Sequence, residues 1–231
     1  MESTPLTPPQ FKLPATLIGI TGPSGTGKST SLRNLPLDIT RIFDIECKGM
    51  PFKLSRPESV IQIRDWPSFM GALLKVEVDP TVKIVAVDSI TALFEYNQVM
   101  CEKDYKGFDI WKNYNDNIAM ILNRLKAKGK TVIITSLEEI VQIQGLDGNP
   151  TTRRRMFVQG KEWANKGIES ECLAVWTAYA KRSADKSSIE YHLATQTDGV
   201  TLAKTPPFWG LGPSMPNDVW AMLNTISKNL A

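Results

Sequence analysis

The sequence predicts an α/β protein: a mostly parallel sheet flanked by helices, with an antiparallel extension toward the C-terminal end. Three observations carry this reading. Nearly continuous apolar runs recur at ATLIGIT (15–21), TRIFDIE (40–46), VKIVAVD (82–88) and KTVIITS (130–136), as expected of strands covered on both faces. Between the last two, Ile118, Ile121, Leu122 and Leu125 recur at helical spacing, and strands alternating with helices imply a doubly wound sheet. Finally, CLAVWTAYAKR (172–182) and SIEYHLATQT (188–197) are adjacent strand-like runs joined by polar SADKS, a hairpin pattern.

Taken in order, residues 1–14 hold four prolines and no apolar period, and read as an extended arm. Residues 15–231 read as a single domain, with no linker or internal repeat to divide them. Its first strand ends in a glycine-rich loop, and the residues after Lys28 read as a short helix that closes before Pro36. The helix before the fourth strand ends in basic, glycine-containing KAKGK. PNDVWAMLNTISKNL closes the chain as an amphipathic helix with Asn217 or Asp218 as its cap.

The chain has 231 residues, 42% hydrophobic and 22% charged, the makeup of an ordinary globular protein with one substantial core. No run approaches the roughly 18 apolar residues of a membrane span, and the first residues lack the basic and apolar features of an export signal. The expected location is therefore the cytoplasm, the bacterial host's if the protein is phage-encoded. Cys47, Cys101 and Cys172 are scattered, without disulfide or zinc spacing, and read as buried thiols. A net charge of +3 does not announce a nucleic-acid binder, so any such claim rests on where the cations lie.

The chemistry concentrates in GPSGTGKST (22–30). Gly22, Pro23, Ser24, Gly25, Thr26, Gly27, Lys28 and Ser29 satisfy G-x-x-x-x-G-K-[ST] after a strand and before a helix, with Thr30 next. Glycines let backbone N–H groups face phosphates, Lys28 supplies a cation, and the Ser29 hydroxyl is a magnesium ligand. Asp88, ending VKIVAVD, is the matching carboxylate for magnesium, though a strand-end Asp also caps helices, and Ser89 competes for that cap. Hydrolysis needs a group that orients water. Glu46 is the candidate, two residues after Asp44, where strand alternation points both the same way at a carboxyl end; the plainer reading is a pair of solvated acids. Ser136, with Thr135, stands where a hydroxyl can sense the terminal phosphate, although such hydroxyls more often satisfy local backbone.

IVAVDSITAL together with GPSGTGKST resembles the RecA-like branch of P-loop ATPases. More narrowly, the order GPSGTGKST, FDIE, VDSITALFE, a long helix, VIITSLEE, a basic segment and LAVWTAYAKR resembles a phage nucleotide-binding, AAA-type family. Its members are core-only RecA-like ATPases associated with single-strand annealing and recombination. The resemblance spans about residues 15–205. It implies a RecA-like P-loop NTPase core that uses ATP and Mg2+, with Lys28 and Ser29 on phosphate and magnesium, Asp88 on magnesium and Glu46 as base. It also implies a homo-oligomer, ring or filament, with single-stranded DNA and recombination proteins as partners. The RecA pattern carries a glutamine sensor after the fourth strand, where this chain has Ser136 and Leu137.

EEIVQIQGLDGNPTTRRRMFVQGKEWANKG follows the fourth strand, where RecA-like proteins keep a mobile loop facing DNA. Arg153, Arg154, Arg155, Lys161 and Lys166 are interleaved with Phe157 and Trp163, the mix of cations and stacking faces suited to single-stranded nucleic acid. Contact with DNA ranks first, an arginine finger reaching a neighbour's ATP second, and a plain solvated surface third. Lys181 and Arg182 resemble the trans-acting basic residues of RecA-like assemblies. KTPPFWGLGP (204–213) reads either as packing beside a nucleotide base through Trp209 or as an ordered turn. Against the ATPase reading stand a small-molecule or nucleotide kinase, its arginines forming a lid, and a nucleotide-gated scaffold with little turnover.

Overall fold

The computed structural model describes residues 12–127, 129–144 and 149–230. Residues 1–11 of the proline-rich arm and 145–148 of the basic segment lie outside the described residues. The chain runs through β1 (Leu17–Thr21), a short 3₁₀ helix at Ser29–Leu32, β2 (Thr40–Asp44), β3 (Val60–Gln62), α1 (Trp66–Val78), β4 (Ile84–Asp88), α2 (Ile90–Asp104), α3 (Phe108–Ala127) and β5 (Thr131–Ser136). It continues with β6 (Glu138–Gln144), β7 (Pro150–Met156), α4 (Lys161–Lys166), β8 (Ala174–Arg182), β9 (Ile189–Ala194), β10 (Ser214–Pro216) and α5 (Val219–Leu230).

Eight strands form one sheet in the order β10-β9-β8-β1-β5-β4-β2-β3. The six from β8 to β3 are parallel, while β9 pairs antiparallel with both β8 and β10. Period-two alternation divides the buried side chains between two layers. Val85 and Val87 of β4, with Val132 and Ile134 of β5, pack with α1, α2 and α3. Ile84, Ala86 and Ile133 point the other way, joining Trp176, Trp209 and the Met222, Leu223 and Ile226 face of α5. The helical spacing at Ile118, Ile121, Leu122 and Leu125 holds, since all four are buried on α3. Asp218 caps α5, its Oδ1 accepting from Ala221 N at 3.1 Å. No helix among the described residues is long and apolar enough to cross a membrane.

Several elements differ from the sequence reading. The short helix read between Lys28 and Pro36 is of the 3₁₀ type, four residues long. The basic segment contains an antiparallel hairpin, with β6 and β7 paired from Glu138 with Met156 to Gln144 with Pro150. Helix α1 starts with a capping box in which Asp65 Oδ1 accepts from Ser68 N at 2.7 Å. Cys101 and Cys172 are buried thiols, but Cys47 is only half-buried.

Parallel pairing has one consequence that matters most. It brings the carboxyl ends of β1, β2, β4 and β5 to one edge, with Thr21 opposite Ser136 and Asp44 opposite Asp88. Ligands of open α/β sheets bind at such edges.

Candidate nucleotide site

The loop after β1 is held by its own chemistry. Lys28 Nζ donates to the carbonyls of Gly22 and Pro23, both at 2.8 Å, and Thr26 Oγ1 donates to Pro23 O at 2.8 Å. Gly27 has φ 85°, and a Cβ there would lie 2.6 Å from Asn217 Nδ2, so both backbone and space require glycine. Burial pushes the Lys28 ammonium below its ordinary pKa, opposed by the negative charges of Asp88, Glu138 and Glu46. That combination describes a partly desolvated cation facing acids.

Opposite it stands Asp88, buried at the end of β4. Burial raises its carboxyl above the usual range, while hydrogen bonds from the Ser29 and Thr135 hydroxyls favour the charged form. Thr135 Oγ1 donates to Asp88 Oδ1. Among the described residues no three of His, Cys, Asp and Glu cluster as a metal centre. The pair Ser29 and Asp88 still fits magnesium, a hard cation that takes few protein oxygens and completes its shell with water and phosphate.

Strand β2 ends at Asp44, so alternation does not carry on to Glu46. Asp44 is buried and its Oδ2 accepts from Gly49 N at 2.9 Å, a loop-holding role. Glu46 is exposed; it accepts from Ser89 Oγ at 3.3 Å and pairs with Lys48. Asp44, Glu46 and Lys48 nevertheless line one cleft of about 460 Å³, together with Ser24, Gly25, Gly27, Lys28, Ser29, Thr30 and Asp88. Pro23 and Thr26 face a neighbouring cavity that also includes Arg154 and Tyr179.

Other candidates stand apart from the cleft. Ser136 is fully buried, donating to Leu137 O at 2.7 Å and meeting Thr91 Oγ1 at 3.1 Å, so the β5 hydroxyl that reaches the acidic group is Thr135. Arg154 pairs with Glu138 at 2.5 Å and Arg155 with Glu139 at 2.8 Å, while Arg153 is exposed. Trp163 is 3% exposed and Trp209 is 1% exposed, which makes both core residues and corrects the reading of either as a stacking face. Lys181 and Arg182 are exposed at the end of β8, with Lys181 3.7 Å from Glu190.

Sequence reasoning missed two contributors. Tyr191 of β9 lines the cleft, and Asn217 Nδ2 donates to Gly27 O at 2.9 Å. Neither has a motif; both depend on the antiparallel extension folding back over the loop.

Strand order, glycine loop and the strand-end Asp88 define a P-loop NTPase of the RecA-like fold. A family model described as AAA domain matches residues 15–206, and the chain belongs to that family. Among solved structures, the flagellar accessory protein FlaH from Methanocaldococcus jannaschii is 13% identical, with 84% of this chain and 80% of that chain covered and a TM-score of 0.42. A KaiC-like protein from Pyrococcus horikoshii is 13% identical, with 84% and 83% covered and a TM-score of 0.47. No curated protein matches the chain.

Proposed function

We propose that this protein is a magnesium-dependent ATPase that cleaves the β–γ bond of ATP, works as a homo-oligomer and acts on single-stranded DNA in phage recombination. The observation that carries the reading is the convergence of Lys28, Ser29, Asp88 and Glu46 on one cleft at the parallel strand ends. Lys28 exchanges its loop carbonyls for phosphate oxygens and offsets the charge that develops there. Ser29 and Asp88 would hold magnesium, which would supply positive charge against the phosphates. Glu46 orients the attacking water and takes its proton as the new P–O bond forms and the bond to the β-phosphate breaks, releasing ADP and phosphate. The hydrogen bond from Ser89 and the ion pair with Lys48 hold Glu46 at the cleft until water and substrate compete for it.

The DNA arm of the proposal has separate support. The hairpin starts two residues after Ser136, and the intervening Leu137 lines the cleft, so a change at the phosphates has a short route to β6. Exposed Arg153 supplies a cation for DNA phosphate, and the resemblance of the motif order to that of a phage recombination family extends the reading to that process. The test is ATP hydrolysis and binding of single-stranded DNA across a salt series. Single-stranded DNA is expected to raise turnover, and Arg153→Ala to lower the slope of log affinity against log salt by about 1. Turnover indifferent to DNA would remove DNA from the reading and return it to a kinase or scaffold.

A further inference from the structure

We infer that Tyr191 forms a nucleobase subsite, its ring being the face on which the base of ATP stacks. The inference rests on the ATP-binding reading and adds what holds the part of the ligand that the phosphate loop does not. Among the described residues that line the cleft, Tyr191 is the sole aromatic one. Its ring lies against the loop itself, with Cδ1 3.1 Å and Cγ 3.5 Å from the position a Gly27 Cβ would take.

The ring is left open and its backbone is tied down. Across the β8–β9 pair Tyr191 faces Ala180, too small to cover it, and the residue stays 41% exposed. Asn217 N donates to Tyr191 O at 3.1 Å, Asn217 Nδ2 to Gly27 O at 2.9 Å, and Arg33 Nη1 to Asn217 O at 2.5 Å. Asn217 thus fixes the tyrosine backbone relative to the phosphate loop. The carboxylates Glu46 and Asp88 belong to the end that the proposed mechanism gives to metal and water. A flat, half-exposed apolar face next to the loop suits a base, which stacks on aromatic rings whatever its identity.

The experiment is titration calorimetry of the full chain with ATP and, separately, inorganic triphosphate, both with magnesium, for the unaltered protein, Tyr191→Ala, Tyr191→Phe and Lys28→Ala. Tyr191→Ala is expected to weaken ATP binding about ten-fold and to leave triphosphate binding unchanged. Tyr191→Phe is expected to restore ATP binding, and Lys28→Ala to lose both ligands. Unchanged ATP affinity in Tyr191→Ala would overturn the subsite while leaving the ATP reading intact. Equal loss of ATP and triphosphate in that variant would also overturn it, because the ring would then merely support the loop. No ATP binding by the unaltered protein would instead overturn the underlying nucleotide reading.

Discussion

The carboxyl ends of the parallel strands and the β6–β7 hairpin adjoin in the chain, yet they handle polar residues in opposite ways. At the strand ends Asp44 and Asp88 are buried, and hydroxyls or backbone N–H groups hold them toward one cleft. On the hairpin, charges opposite or diagonal to one another pair locally, Arg154 with Glu138 and Arg155 with Glu139, and Arg153 is left exposed. Burial on both faces of a sheet converts polar residues into a fixed site, whereas a two-stranded ribbon outside the sheet lets most of them neutralise each other. The charge count of the basic segment therefore overstates its free charge.

Three substitutions sharpen this contrast, read as changes in unfolding free energy by denaturant titration. Trp176→Ala, in the sheet, is expected to cost about 3–5 kcal/mol. Its ring is fully buried and its Nε1 donates to Thr205 Oγ1 at 3.0 Å. Arg154→Ala is expected to cost about 1–3 kcal/mol, because it strands a Glu138 side chain that is 4% exposed and whose Oε2 already lacks a partner. Arg153→Ala is expected to change stability by less than about 0.5 kcal/mol. If Arg153→Ala cost as much as Arg154→Ala, the division of the hairpin into paired and free cations would be wrong.

The sequence made the phosphate loop legible because phosphate binding dictates its residues: Gly22 and Gly27 take positive φ with no room for a side chain, and Lys28 and Ser29 supply charge and hydroxyl. The parallel strands were legible because burial on both faces leaves nearly continuous apolar runs. Helix α1 also had a signal, Trp66, Phe69, Leu73 and Val76 at helical spacing behind the Asp65 and Ser68 capping pair, which the strand-centred reading passed over. The hairpin had a partial signal, EIVQIQ followed by the turn formers of GLDGNP, but PTTRRRM shows no apolar alternation and pairs through its backbone and ion pairs. Strand alternation did not place Glu46, because the chain leaves the sheet at Asp44; Glu46 reaches the cleft from the loop that follows. Trp163 misled because an aromatic residue among cations is equally able to face the core. Tyr191 was invisible as a site residue, since its place over Gly27 depends on β9 pairing with β8 and β8 with β1, contacts set by tertiary structure alone.

The most direct test of the proposed chemistry is the rate of ATP hydrolysis by Glu46→Gln beside that of the unaltered protein, with ATP affinity measured on the same samples. Removing a general base is expected to lower turnover by about 10²- to 10⁴-fold while ATP affinity stays the same, because the hydrogen bond and ion pair of Glu46 go to Ser89 and Lys48 and not to the phosphate loop. Undiminished hydrolysis with normal binding would contradict the account and take Glu46 out of the mechanism.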